Sequence, residues 1–140
     1  MKYFAYGMNT NLSQMAARCP GTVNLGAAWI DGYEFTFRTH ADIVKRRHAK
    51  CHGVLWEINE AHLKALDGLE GFPYYYTRFN VTAHTKSDTV TAIVYQMTDQ
   101  GPSESPYTGY LNMVTEGYES NGVALDQIDR AINKLSKMQA

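Results

Sequence analysis

The chain has 140 residues, 44% of them hydrophobic and 19% charged, with 13 lysines and arginines against 14 aspartates and glutamates. This ordinary globular composition suits one domain spanning residues 1–140, and the formal charge of −1 excludes a protein built around nucleic acid, which needs a clustered positive surplus. No apolar run approaches a membrane span and the N-terminus lacks a signal-peptide pattern, so the expected location is cytoplasmic, with no membrane partner.

A first strand is expected over residues 2–6, where Tyr3, Phe4, Ala5 and Tyr6 form an apolar run. Gly7 breaks it, and Asn9, Thr10 and Asn11 are good N-cap types for a helix at 11–18. A strand that turns through a glycine into a helix leaves N–H groups around Gly7, Met8 and Asn9 without partners. They would form a cradle for a carboxylate or an oxyanion. A plain strand-to-helix turn has the same pattern, so the segment alone does not separate the two.

A strand-rich stretch follows over 23–38, bent at Asp31-Gly32, in which Tyr33, Phe35 and Phe37 alternate with polar residues. Residues 39–49 read as a polar loop, and its Lys45-Arg46-Arg47-His48 run as a solvated basic stretch. A strand is expected near 51–58. Side chains alternate along it, so Cys51 and His52 face apart and form no catalytic dyad, and His48, Cys51 and His52 are not expected to hold zinc. With only two cysteines, Cys19 and Cys51, there is no disulfide framework, and Cys19 reads as a buried apolar residue.

Next come a short helix at 60–70, capped by Asn59 and burying Leu63, Leu66 and Leu69, and strands near 75–85 and 89–98. Ser105-Pro106 is expected to open a helix with Tyr110, Met113, Val114 and Gly117 on one side, ended by Asn121-Gly122. A last amphipathic helix turns Leu125, Ile128, Ile132 and Leu135 inward. Strands with helices inserted and appended indicate an α+β domain, a small curved mixed sheet or β-barrel flanked by helices.

Glu70 closes the helix at 60–70, directly before Gly71. A carboxylate there faces the negative end of the helix dipole, and Asp67 lies three residues earlier on nearly the same face. Paired carboxylates and burial would each raise a pKa, so Glu70 reads as a general base tuned toward neutral pH or, in the plainer reading, as a surface residue of a fraying helix end.

Tyr6-Gly7-Met8-Asn9 together with Leu66-Asp67-Gly68-Leu69-Glu70-Gly71 resembles the gamma-glutamylcyclotransferase family. Its signatures are Tyr-Gly-Ser-Asn after a first strand and Leu-Asp-x-x-Glu-Gly further on. Pro102-Ser103 followed by Tyr110 and Gly117 matches a third mark, and the segments 15–21, 41–44 and 76–78 are also similar to bacterial members. The resemblance implies that Glu70 is the acid/base. It implies that Tyr3, Phe4, Ala5, Tyr6, Gly7, Met8 and Asn9 form the substrate-binding stretch, the first three mainly as the strand that carries it, and that Tyr110 completes the pocket. The implied reaction is the internal aminolysis of a small γ-glutamyl compound to 5-oxoproline and a free amine, with no metal or other cofactor. Two departures stand out: Met8 replaces a serine, and Thr39-His40 stands where the family carries paired glycines. Because folds host unrelated functions, a non-catalytic small-molecule or partner-binding domain is the alternative that these departures support.

Overall fold

A computed structural model describes residues 1–139. Five strands close into a barrel in the order β1-β3-β2-β4-β5, where β1 is Lys2–Ala5, β2 is Val23–Arg38, β3 is His40–Glu57, β4 is Tyr76–His84 and β5 is Thr89–Met97. Neighbours pair antiparallel except β1 and β5, which meet in parallel at Tyr3 and Ile93 and so close the barrel. The four helices are α1 Leu12–Arg18, α2 Glu60–Glu70, α3 Thr108–Ser120 and α4 Asp126–Gln139.

Local signals in the sequence set most element ends. The Asn11 side chain accepts from the Gln14 amide and caps α1, and Asn59 with His62 makes a reciprocal capping box for α2. α2 stops at Gly71, which takes φ 64° and ψ 35°, a left-handed conformation costly for a residue with a Cβ.

The expected polar loop at 39–49 is a strand. Residues 40–49 form the first half of β3, with Ala41, Asp42 and Ile43 buried. The charge of Asp42 is met there by Arg38, by the Met97 amide at 2.9 Å and by Gln100 at 3.1 Å. A charged residue satisfied by partners on three segments can sit in a barrel wall, and no local pattern announces that. Two smaller expectations also shift. The helix expected from Ser105-Pro106 begins at Thr108, and Leu69, expected to be buried, is 53% exposed.

Helix α3 docks on the turn after β1 through Gly117. A Cβ at this position would meet the Asn11 amide at 2.7 Å, so only a glycine lets the helix approach so closely. The Asn121 side chain then donates to the Thr10 carbonyl at 2.9 Å, and the Tyr118 hydroxyl donates to the Tyr6 carbonyl at 2.5 Å. The segment from Tyr6 to Asn11 is thereby held from outside as well as by its own strand.

Candidate active site

At the C-terminal end of α2, Glu70 sits half-buried with the turn after β1 facing it. Burial raises its carboxyl pKa to about 7, with the Arg18 charge pulling the other way. The expected like-charge effect of Asp67 does not operate. Asp67 instead accepts from Arg78 Nε at 2.8 Å and from the Tyr95 hydroxyl at 2.7 Å, so its charge is already compensated. A carboxylate with no ion-pair partner of its own, removed from water, is driven toward its neutral form.

The cradle is a single 3-10 turn, Met8–Thr10. It closes through the Thr10 amide and hydroxyl, which both donate to the Gly7 carbonyl at 3.1 and 2.8 Å, and through the Asn11 amide to Met8 at 3.0 Å. The amides of Met8 and Asn9 are not spent in closing the turn, and that of Met8 acts on the Tyr110 hydroxyl. Gly7 is required for a steric reason: a Cβ there would lie 2.8 Å from the Ala41 Cβ and 3.2 Å from the Tyr110 oxygen.

The Tyr110 hydroxyl accepts from the Ala41 amide at 2.9 Å. Burial pushes its pKa up to about 12 against the pull of that amide, so it stays a neutral hydroxyl. Burial likewise raises the hydroxyls of Tyr3 and Tyr76, and Tyr76 donates to the Ala41 carbonyl at 2.8 Å. Asn9 is buried and links these groups. Its Nδ2 donates to the Tyr3 hydroxyl at 3.0 Å and reaches Glu70 Oε1 at 3.4 Å, while its backbone carbonyl accepts from Trp56 Nε1 at 2.9 Å.

Glu70, Gly7, Met8, Asn9, Tyr3 and Tyr110 surround a cavity of about 40 Å³, with Phe4 and Tyr6 also at its wall. That volume is enough for a water-sized group, which needs about 10–15 Å³ of such space. An outer space of about 250 Å³ shares Met8, Glu70, Tyr76 and Tyr110 with it and adds Arg18, His40 and Leu69. Of the residues singled out in the sequence, Ala5 alone stays away from both spaces, 1% exposed in β1.

Arg18, Tyr76 and Ala41 were not foreseen as part of this site. A lone arginine in the last turn of a helix ordinarily reads as a partner of the helix dipole. Nothing local signals that it turns back to residue 9. Cys51 is fully buried with its thiol pushed up by burial, and His52 lies on the neighbouring, half-exposed face. Among the described residues, no group of three His, Cys, Asp or Glu side chains is placed to hold a metal ion, and no helix is long and apolar enough to cross a membrane. Two roomier clefts, of about 510 and 580 Å³, contain none of the groups around Glu70.

The model of the family described as Gamma-glutamyl cyclotransferase, AIG2-like matches residues 3–113. Among solved structures, one named Gamma-glutamyl cyclotransferase superposes with a TM-score of 0.84 at 24% identity, covering 94% of this chain and 85% of that one. An uncharacterized human protein gives 0.83 at 25% identity, with 93% and 85% covered. A yeast cyclotransferase specific to glutathione gives 0.60 at 12% identity, with 96% and 98% covered. No curated protein sequence matches the chain.

Proposed function

Because this chain belongs to the Gamma-glutamyl cyclotransferase, AIG2-like family, we propose that it catalyses internal aminolysis of a small γ-glutamyl amide. The substrate's free α-amine attacks its own γ-carbonyl carbon. A ring C–N bond forms, the original amide C–N bond breaks, and 5-oxoproline and a free amine leave. Ring closure makes the nucleophile intramolecular, so the protein has to orient it, deprotonate it and stabilise the oxyanion.

Each group has a task in this reading. Glu70, with a pKa near neutrality, takes the proton from the α-ammonium and returns one to the departing amine. The Met8 and Asn9 amides hold the oxyanion or the substrate carboxylate at the inner cavity. The Tyr110 hydroxyl closes the same cavity from α3. The leaving amine occupies the outer space beside Arg18, His40 and Leu69.

The observation that carries the proposal is the convergence of a half-buried, neutral-poised Glu70, the Met8 amide and the Tyr110 hydroxyl on one small cavity. The experiment is a panel of γ-glutamyl compounds, including γ-glutamyl amino acids, ε-lysine and polyamine conjugates, assayed for 5-oxoproline. Release from at least one member is expected. Binding without release from any would favour the non-catalytic binding domain.

A further inference from the structure

A second concave site lies on the opposite kind of surface, between α4 and the outer arms of β2 and β3. It encloses about 510 Å³ and shares no residue with the space around Glu70. Two residues of the exposed basic run, Arg46 and His48, line it. Tyr33 pairs with Lys45 and Asp31 with Lys50, so residues 46–49 bulge out opposite Gly32 alone. His48 within the bulge has φ 67°, a left-handed conformation uncommon for a residue with a Cβ. Such strain is held by its surroundings and concentrates where a side chain has to be re-aimed.

Arg46 and His48 of the bulge and Lys50 just after it line the cleft, together with His52 and, from successive turns of α4, Arg130 and Lys134. Glu34 is the one carboxylate in the lining, and it is already bound by Arg46 at 3.0 Å and Lys134 at 2.7 Å. Arg38, at the margin, is paired with Asp42. Among the described residues, Lys50 and Arg130 have no carboxylate at ion-pair distance, and the Lys50 ammonium rests over the Trp29 ring instead. Both cations disfavour the charged form of His52, after its burial, and only Asp126 opposes them. Behind the cations, Phe35, Val44, Ala131 and Leu135 form an apolar floor.

We propose that this cleft binds a small organic polyanion, an apolar or planar body carrying two or more phosphate groups, of the nucleotide class. Crowded cations without counterions are mutually repulsive, and a multivalent anion relieves several of those repulsions at once. The volume lies within the range of small-molecule sites, and the apolar floor suits a ring more than a bare ion. The inference is independent of the reaction at Glu70.

The test is calorimetric titration of the full chain in 0.15 M NaCl with ATP, AMP and inorganic triphosphate, with amide NMR shifts to locate binding. ATP is expected to bind more tightly than either of the others and to shift residues 46–52 and 130–134. R130Q/K134Q is expected to weaken ATP by about tenfold or more, the scale of losing one or two charge-assisted contacts. K64Q/K86Q makes the same charge change on surfaces away from the cleft and should leave affinity unchanged. Melting curves verify that both double variants fold. No ATP binding at millimolar concentration would overturn the proposal, as would equal loss in the two double variants. Triphosphate binding as tightly as ATP would remove the apolar body from it. Binding of single-stranded RNA or an acidic peptide with no binding of ATP would replace the small ligand with a macromolecule and overturn it too.

Discussion

The Arg18 guanidinium donates to Asn9 Oδ1 at 2.7 Å, and this bond decides which end of the Asn9 amide faces Glu70. A guanidinium has only donors, so it selects the amide oxygen and leaves Nδ2 to point at the Tyr3 hydroxyl and Glu70. Arg18 thus touches the site twice, through this bond and through its charge on Glu70. Removing the charge while keeping the bulk, in Arg18→Met, should move the rising limb of the pH–rate profile to higher pH, because the influence lowering the Glu70 pKa is gone. Arg18→Lys should undo much of that shift. A profile unchanged in Arg18→Met would confine the residue to a packing role.

Replacing Glu70 with glutamine should cut 5-oxoproline formation by about 10²–10⁴-fold with the fold retained, the usual reach of a positioned general base. In the native protein any 5-oxoproline formation should climb as pH passes about 7, where Glu70 becomes charged. Stability should run the other way. A carboxyl whose pKa is raised on folding, from 4.5 to about 7, adds stability that is complete below 4.5 and lost as pH rises through 7. The loss is on the order of 3 kcal/mol. Glu70→Gln escapes it, so melting at pH 5 and pH 8 should show the variant gaining on the native protein at the higher pH.

Tyr110→Phe removes a hydroxyl that meets both the cavity and the Ala41 amide. Activity should fall. Stability should also drop by about 1–2 kcal/mol, because the Ala41 N–H loses its acceptor in a largely buried place. Chemical denaturation alongside kinetics separates the two effects, and unchanged kinetics would return Tyr110 to a structural role.

Met8 turns its amide to the Tyr110 hydroxyl and lines both the inner and outer spaces. Met8→Ser keeps the amide and opens one wall. Preference among leaving amines, read as kcat/KM across the γ-glutamyl panel, should move by about 1–3 kcal/mol while the reaction stays the same. If the native protein turns over none of the panel and Met8→Ser does, Met8 marks a disabled enzyme and the binding-domain reading prevails.

Gly117→Ala should destabilise by about 1–3 kcal/mol, the cost of forcing a side chain into a filled interface. A Cβ there meets Asn11 and Thr10, the backbone that carries the cradle. A melting temperature equal to that of the native protein would show that α3 can withdraw without cost.

Several features of this protein were legible in the residues themselves because their causes lie within a few positions. Asn11 and Asn59 as caps, Gly71 as the left-handed stop that leaves Glu70 at a helix end, and the apolar faces of α3 and α4 all depend on local sterics, hydrogen bonds and spacing. The α+β architecture followed from the same alternation of elements. Closure of the barrel through Tyr3 and Ile93 did not, because residues ninety positions apart meet only when every strand between them has curved. The strand at 40–49 was hidden for the same reason, since the partners of Asp42 lie on other segments. For Glu70 the residues offered two causes of a raised pKa, a neighbouring carboxylate and burial, and only burial operates. Its neighbour Asp67 is tied to Arg78 and Tyr95, and burial does the raising. Burial is a property of the packed chain, and so is the return of Arg18 to Asn9: tertiary structure alone decides which charges share a space without water.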